Sequence, residues 1–142
     1  MGERCPACGR WDTRPAVVDG ILAEGGRILL IRRGREPCRG RFALPGGFID
    51  RDETAREAIA REMREETGLD VEVERFLGFF DDPGRDVRQT ISLVFVLRRR
   101  GGELRAGDDA AEFVWADLGD PPPLAFDHAR VLAEYRASLR GG

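Results

Sequence analysis

The sequence contains no lysine and no asparagine, so its 23 Lys+Arg residues are all arginine. Arginine is the better bidentate ligand for phosphate of the two basic side chains. The chain also lacks an excess of positive charge, because its formal net charge is -3 at pH 7. This balance argues against a bulk nucleic-acid binder, and we expect no nucleic-acid partner.

Long apolar runs are absent as well, and none approaches the length of a membrane span. The first residues, Met1-Gly-Glu-Arg-Cys-Pro, are polar and do not resemble a signal peptide. We therefore expect a cytoplasmic protein with no membrane partner. At 142 residues, with 42% hydrophobic and 35% charged residues, the chain is long enough for one domain with its own core.

Cysteine is scarce, and the three present, Cys5, Cys8 and Cys38, are an odd number that argues against a disulfide framework. Cys5-Pro-Ala-Cys8-Gly is half of a zinc knuckle. A structural Zn²⁺ needs four ligands, and the other candidates are Cys38 and His128, unless a homodimer pools two cysteine pairs. We therefore interpret residues 1–14 as an arm with either a zinc ion or reduced thiols, and residues 15–142 as the main domain.

The stretch from Gly47 to Leu69 contains the strongest local signals. Thr54-Ala-Arg-Glu57 is a capping box, in which the threonine hydroxyl accepts from the amide of Glu57 and the glutamate reaches back. Good helix formers follow, and Gly68 can adopt the left-handed conformation that ends a helix. The sequence therefore predicts a helix over residues 54–67.

Two faces of this helix differ in chemistry. One is a narrow apolar stripe suited to packing on a sheet, formed by Ala55, Ala58, Ile59 and Met63. The other holds Glu62, Glu65 and Glu66, three like charges near the helix C-terminus, where the macrodipole disfavours anions. A hard divalent cation would remove that conflict, whereas a solvated acidic face compensated by neighbouring arginines is the alternative.

Outside this stretch, apolar patterns predict strands over residues 15–22, 27–32, 71–80, 87–98 and 112–116. Glu24-Gly-Gly26 predicts a hairpin turn, and the strand over residues 87–98 is predicted to be central because its second half is apolar on both faces. A closing helix is predicted over residues 126–139, with four buried positions: Phe126, Leu132, Tyr135 and Leu139. These elements predict an α/β or α+β sandwich with a mixed sheet between helices.

The glutamate helix also belongs to a longer pattern. Gly47, five residues, Glu53 and seven residues are followed by Arg61-Glu62-Met63-x-Glu65-Glu66-x-Gly68-Leu69. This spacing matches the Nudix box at every specified position, so the chain resembles Nudix hydrolases, specifically within the box and more loosely from Pro15 onward. That resemblance implies an α/β/α sandwich with a central mixed sheet, a catalytic loop-helix-loop and a C-terminal helix.

The resemblance also implies a metal site. In the Nudix family the box helix holds a divalent cation, usually Mg²⁺ with Mn²⁺ as an alternative, against a diphosphate that water then attacks. Carried over by position, the metal ligands are Glu62, Glu65 and Glu66, with the Gly46 carbonyl as a helper. Arg61 would hold the glutamates in place through charge-assisted hydrogen bonds.

The general base is left open by the resemblance. In the family it is a box glutamate or an acidic residue in a later loop, and the candidates here are Glu66, Glu112, Asp108 and Asp109. Outside the box we favour Glu112, which lies just before the Phe-Val-Trp segment. Glu53 is interpreted as part of the surroundings of the metal site if its loop folds back.

Substrate choice depends on segments outside the box, which resemble microbial ADP-ribose pyrophosphatases at residues 15–22, 41–48 and 80–88. In that group the loop after the box often carries a run like Asp82-Pro-Gly-Arg-Asp86. Arginine residues are predicted to bind phosphate or the terminal ribose, and phenylalanine residues to stack on adenine. The predicted contacts are Arg85 and Arg88 in this loop, Arg41 at the diphosphate, and Phe80 or Phe42 at the base.

These features favour hydrolysis of ADP-ribose to AMP and ribose 5-phosphate. Ordinary or oxidised nucleoside triphosphates and nucleotide sugars are alternative substrates that the box also permits. A ligand-sensing regulatory domain and a zinc-organised interaction module are alternatives from other classes of protein.

Overall fold

The computed structural model of the chain describes residues 2–105 and 110–141. Its strands are β1 (Ala16–Glu24), β2 (Arg27–Arg33), β3 (Phe42–Ala43), β4 (Gly46–Phe48), β5 (Leu69–Phe80), β6 (Ile91–Gly102) and β7 (Ala110–Asp117). Its helices are α1 (Ala55–Thr67), a short 3-10 turn (Pro83–Arg85) and α2 (His128–Arg140). Over those two ranges, no helix combines the length and the apolar character needed to cross a membrane.

The strands form one mixed sheet. β6 lies between β1, to which it is parallel, and β5, to which it is antiparallel. On its other side, β1 pairs with β4 through its first residues and with β2 through its last residues. β2 in turn pairs with β3 and with β7. The predicted central position of β6 is therefore confirmed.

One helix covers each face of this sheet. The core between the sheet and α1 contains Val18, Leu22, Leu29, Ala58, Ile59, Met63, Leu69, Phe95 and Leu97. The core between the sheet and α2 contains Ile21, Ile28, Leu30, Leu44, Val94, Val96, Val131, Leu132 and Tyr135, among others. Neighbouring residues of β6 alternate between the two cores, as the pleat requires. The predicted α/β/α sandwich is confirmed.

The glutamate helix begins and ends where local chemistry predicts. The Glu57 amide donates to the Thr54 hydroxyl at 3.1 Å, and the Thr54 amide donates to the Glu57 carboxylate at 3.0 Å. Gly68 ends α1 with φ 77°, and a Cβ there would lie 2.4 Å from the Glu103 carbonyl oxygen. Both ends are therefore fixed, which sets the direction in which the glutamates of the helix project.

The predicted starts of β6 and α2 need correction. β6 begins at Ile91 rather than at residue 87, because the preceding residues form a 3-10 turn and a loop that leaves Val87 exposed. α2 begins at His128 because Phe126 has φ 55° and the Ala125 amide donates to the Phe42 carbonyl at 2.8 Å. This bond holds the chain against β3 just before the helix.

Burial along α2 differs from the prediction at its ends. Leu132 and Tyr135 are buried as predicted, whereas Leu139 in the last turn is 55% exposed. Phe126 is half-buried and precedes the helix. The helix therefore packs on the sheet through its first two turns, and its C-terminal end projects beyond the core.

Candidate active site

A cleft of about 400 Å³ opens where the start of β1, the short strand β4 and the second half of α1 meet. Its lining includes Gly46, Gly47, Glu62 and Glu66. These residues are brought together because β4 pairs with β1 and the capped helix follows β4 after a short loop. Two of the three box glutamates therefore face one cavity.

Both cleft glutamates pack directly on glycine backbone. The Gly46 amide donates to Glu66 Oε2 at 3.2 Å. A Cβ at Gly47 would lie 2.5 Å from the Glu62 carboxyl carbon, a distance that real side chains do not tolerate. Glycine is therefore needed at Gly47 because the Glu62 carboxylate occupies the space of a side chain, and at Gly46 because a Cβ would lie 2.0 Å from the Val18 carbonyl oxygen.

The electrostatics of the cleft favour a cation. Burial, the neighbouring charge of Glu62 and that of Asp19 raise the pKa of Glu66 from 4.5 to about 8. Burial also raises the pKa of Glu62, although hydrogen bonds from Arg61 oppose that shift. Two half-desolvated carboxylates side by side are oxygen donors of the kind that a hard divalent cation prefers.

The described residues contain no preformed group of three or more His, Cys, Asp or Glu side chains that could hold a metal ion. The third box glutamate explains this observation, because Glu65 Oε2 accepts from Arg61 at 3.1 Å and lies outside the cleft lining. The half-buried pair nevertheless fits a divalent cation, because two like-charged carboxylates share one cleft and Arg61 and Arg33 offset only part of their burial and repulsion, so that the pKa of both glutamates is raised.

Arg61 connects the glutamates of the box. Its guanidinium donates to Glu62 Oε1 at 3.0 Å, to both oxygens of Glu53 at 2.7 and 3.0 Å, and to the Phe48 carbonyl at 3.0 Å. Its hydrogen bonds to Glu53, more than any other contact, raise the pKa of Arg61. The loop after β4 thus folds Glu53 back toward α1. The sequence pattern alone did not determine this position.

A buried polar cluster beside the glutamates was missed by the sequence analysis. Asp19 lies in β1, accepts from the Ser92 hydroxyl, and has its carboxylate 3.7 Å from His128 Nε2. The Leu44 amide donates to His128 Nδ1 at 3.0 Å. Burial alone would raise the pKa of Asp19, but His128 and Ser92 lower it overall. Nothing in the sequence pairs these residues, because the fold alone joins β1, β6 and α2.

Arg85 and Arg88, both predicted to bind substrate, line the cleft in different ways. Arg85 is buried, and its guanidinium donates to Asp127 at 2.9 and 3.1 Å, to Asp86 at 3.4 Å and to the Thr90 hydroxyl. Arg88 is exposed and stacks over the Phe48 ring at 5.3 Å. Arg88 is therefore open to a ligand, whereas Arg85 already has partners.

Three other predicted substrate contacts lie elsewhere. Arg41 is exposed and outside the cleft lining. Phe42 packs against the core beside α2, with the Arg32 guanidinium 5.7 Å from its ring. Phe80 is 5% exposed and belongs to the same core. The structure thus does not bring these side chains into the cleft.

The general-base candidates lie in different parts of the structure. Glu66 is in the cleft, whereas Glu112 lies on β7, where its carboxylate pairs with Arg32 at 2.9 Å. Asp108 and Asp109 lie outside the described residues. Of the candidates that the structure describes, only Glu66 lines the cleft, where it is one of the two carboxylates of the pair.

The N-terminal arm folds into a small turn. The Cys5 amide donates to the Arg10 carbonyl at 2.6 Å, and the Gly9 amide donates to the Cys5 carbonyl at 2.8 Å. Amide hydrogen bonds from Cys8 and Ala7 lower the pKa of the Cys5 thiol. Cys5 and Cys8 are free thiols, and within the described residues no third metal-type ligand joins them.

The sandwich and the half-buried glutamate pair are those of a protein whose arginine-lined cleft fits a divalent cation. Residues 12–135 match the NUDIX domain, and the chain belongs to the NUDIX domain family. The predicted family is therefore confirmed.

Three known proteins show the range of similarity. The chain is 51% identical over 123 residues to an ADP-ribose pyrophosphatase of Methanocaldococcus jannaschii, covering 85% of this chain and 73% of that protein. It is 38% identical to a putative 8-oxo-dGTP diphosphatase 2 of Mycobacterium tuberculosis, covering 88% and 90%. The crystal structure of an ADP-ribose pyrophosphatase from Streptococcus suis is 27% identical, with a TM-score of 0.77 over 90% of this chain and 93% of that one.

Proposed function

We propose that this protein is a metal-dependent pyrophosphohydrolase that converts ADP-ribose to AMP and ribose 5-phosphate. The observation that carries the proposal is the half-buried Glu62–Glu66 pair in the lining of a cleft of about 400 Å³ that also contains Arg33, Arg88 and Phe126. A diphosphate that joins two larger groups fits such a cleft with its anhydride at the carboxylates. The 51% identity to an ADP-ribose pyrophosphatase supports the choice of substrate.

The cation is proposed to be Mg²⁺, with Mn²⁺ as a substitute. Glu62 and Glu66 would hold it together with the Gly46 carbonyl, and Glu65 would join if it turns away from Arg61. When bound, the cation neutralises charge on the diphosphate and lowers the pKa of a coordinated water. Arg61 would keep Glu62 aligned, since its guanidinium is anchored on Glu53 and on the β4 backbone.

The reaction transfers one phosphoryl group to water. The water oxygen forms a bond to one phosphorus, the bridging P–O bond breaks, and the bridging oxygen leaves with the other phosphate. A proton is lost from the water, and we propose Glu66 as the acceptor because it is the base candidate in the cleft. Glu112 would act only if β7 and its Arg32 partner rearranged, so its assignment stays a prediction.

Several other predictions also stay open. Arg88 is proposed to bind phosphate or ribose, because its guanidinium faces the cleft without a carboxylate partner in the described chain. Arg85 is proposed to act mainly by positioning that loop. A cytoplasmic location remains an expectation. Whether the protein is a homodimer, and whether Cys5 and Cys8 hold a zinc ion or are reduced thiols, remains open.

A second candidate is hydrolysis of an oxidised nucleoside triphosphate. The observation that favours it is the 38% identity to a putative 8-oxo-dGTP diphosphatase, of which the chain covers 90%. This substrate would use the same glutamates, so only the relative turnover of the two compounds separates the candidates.

The test is hydrolysis of ADP-ribose with Mg²⁺, with products identified by chromatography. GTP, 8-oxo-dGTP and a nucleotide sugar are assayed in parallel at equal concentration. We expect AMP and ribose 5-phosphate, with the highest kcat/KM for ADP-ribose. Faster turnover of another nucleotide would keep the metal site and reject the substrate, and no turnover with Mg²⁺ or Mn²⁺ would favour a ligand-sensing domain.

Gly47→Ala tests the contact between glycine and carboxylate. The added methyl group must displace the Glu62 carboxylate, which is the mobile end of its side chain. We expect kcat/KM for ADP-ribose to fall about 10- to 100-fold, while the melting temperature changes by less than about 3 °C. Gly101→Ala is the control, because a Cβ there meets nothing within 4 Å. Unchanged activity in Gly47→Ala would show that the position of Glu62 is not critical.

A further inference from the structure

One end of the cleft holds an arginine stacked on an aromatic ring. The Arg33 guanidinium lies 4.9 Å from the centre of the Phe126 ring, and both side chains line the cleft. Arg33 Nε donates to the Pro37 carbonyl at 2.7 Å, which fixes the plane of the guanidinium. Together they present a rigid planar surface, of the kind on which aromatic bases stack.

Phe126 is held in a strained backbone conformation. Its φ of 55° is uncommon and unfavourable for a bulky residue. The surroundings maintain it, because the preceding amide of Ala125 is bonded to β3 and the His128 ring packs edge-on at 5.5 Å. Such strain is concentrated at ligand sites, and here it turns an aromatic ring toward the cleft instead of continuing α2.

The two ends of the cleft differ in chemistry. Beside Phe126 and Arg33, the lining includes apolar atoms of Ile31, Ala43 and Leu44, as well as the charged side chains of Arg35 and Glu36. Around Phe48, on whose ring Arg88 stacks, the lining is charged and includes Asp50, Asp86 and Arg88. A flat heteroaromatic group suits the first end, and a hydroxyl-rich sugar phosphate suits the second.

The segment from Ala43 to Phe48 connects these parts of the cleft in the order of the sequence. Ala43 pairs with Ile31 at the apolar end, Gly46 and Gly47 contact the glutamates, and Phe48 lies at the charged end. At about 3.3 Å per residue, the segment from Ala43 to Phe48 spans at most about 17 Å. The glutamate pair therefore lies between the two ends, within reach of a single linear ligand.

We propose that Arg33 and Phe126 form the subsite for the planar base of the nucleotide substrate, with the sugar phosphate half bound at the Phe48–Arg88 end. This inference rests on the proposed function and gives the substrate a direction in the cleft. In ADP-ribose the base is adenine, so AMP is held by the apolar end and ribose 5-phosphate by the charged end.

Product inhibition of ADP-ribose hydrolysis tests this direction. In Phe126→Leu, the inhibition constant of AMP should rise about 5- to 100-fold, the effect of losing one base–aromatic stack. The inhibition constant of ribose 5-phosphate should stay within about threefold, and KM should rise more than kcat falls. Phe126→Tyr, which retains a ring, should restore inhibition by AMP.

The control is Phe79→Leu, which removes an aromatic ring that is 63% exposed on β5 and outside the cleft lining. It should leave both inhibition constants unchanged. If Phe126→Leu instead weakens inhibition by ribose 5-phosphate, or weakens inhibition by both products equally, the proposed direction of the substrate is overturned. Should this variant fail to fold, Arg33→Gln is measured in its place. It too must raise the inhibition constant of AMP more than that of ribose 5-phosphate. Absence of wild-type turnover would instead reject the proposed function itself.

Discussion

Glu66→Gln is expected to lower kcat/KM for ADP-ribose about a thousandfold and to make the metal-free protein more stable at alkaline pH. The loss of activity follows because an amide cannot supply the charge of the carboxylate beside the diphosphate. The gain in stability follows because Glu66 is buried next to Glu62, and the amide is neutral at every pH.

The sign of the pH effect can be derived from the raised pKa of Glu66. Between its ordinary value of 4.5 and about 8, the folded metal-free protein holds a proton that the unfolded chain releases. The free energy of unfolding of the wild type therefore falls as pH rises through this range. At pH 8.5 the variant should melt at least about 5 °C above the wild type, and at pH 5 the two should melt within about 2 °C of each other.

Melting curves with a chelator at pH 5 and 8.5, together with initial rates with Mg²⁺, measure both effects. Glu74→Gln removes an exposed carboxylate on β5 and should alter neither. Adding Mg²⁺ should raise the melting temperature of the wild type more than that of Glu66→Gln. Equal melting temperatures at pH 8.5 would contradict the burial of the charge, and retained activity would contradict a role in the metal site.

The box helix could be predicted from sequence because its determinants are local. Thr54, Glu57 and Gly68 cap it through contacts within a few residues, and the glutamate spacing places Glu62 and Glu66 on one face. Their shared cleft depends in addition on the pairing of β4 with β1. The pairing itself was not predicted from the sequence.

The residues that surround the box could not be found in this way. Asp19 and His128 are far apart in sequence and meet only because β1 and α2 pack on one another. Phe126 continues an amphipathic helical pattern, so periodicity assigned it to α2, yet the bond from Ala125 to β3 turns it into the cleft. Long-range packing overrides local preference at these positions. Among them, Phe126 carries the proposed specificity for the base.

Arg85→Met is expected to destabilise the protein by about 3–5 kcal/mol, which lowers the melting temperature by about 10 °C or more. The guanidinium is 2% exposed and is bonded to Asp127 through two nitrogens. Removing it leaves Asp127 and Asp86, whose side chains are 17% and 11% exposed, without their buried cation. Chemical denaturation at pH 7 measures this loss.

Arg88→Met is the matched control, because it makes the same chemical change at an exposed position of the same loop. Its free energy of unfolding should change by less than about 0.5 kcal/mol, while KM for ADP-ribose rises. Arg85→Met combined with Asp127→Leu should recover part of the stability, because the uncompensated charge is then gone. If Arg85→Met instead stays stable and only raises KM, Arg85 acts on the substrate, as its sequence position predicted, and its contacts with Asp127 are secondary.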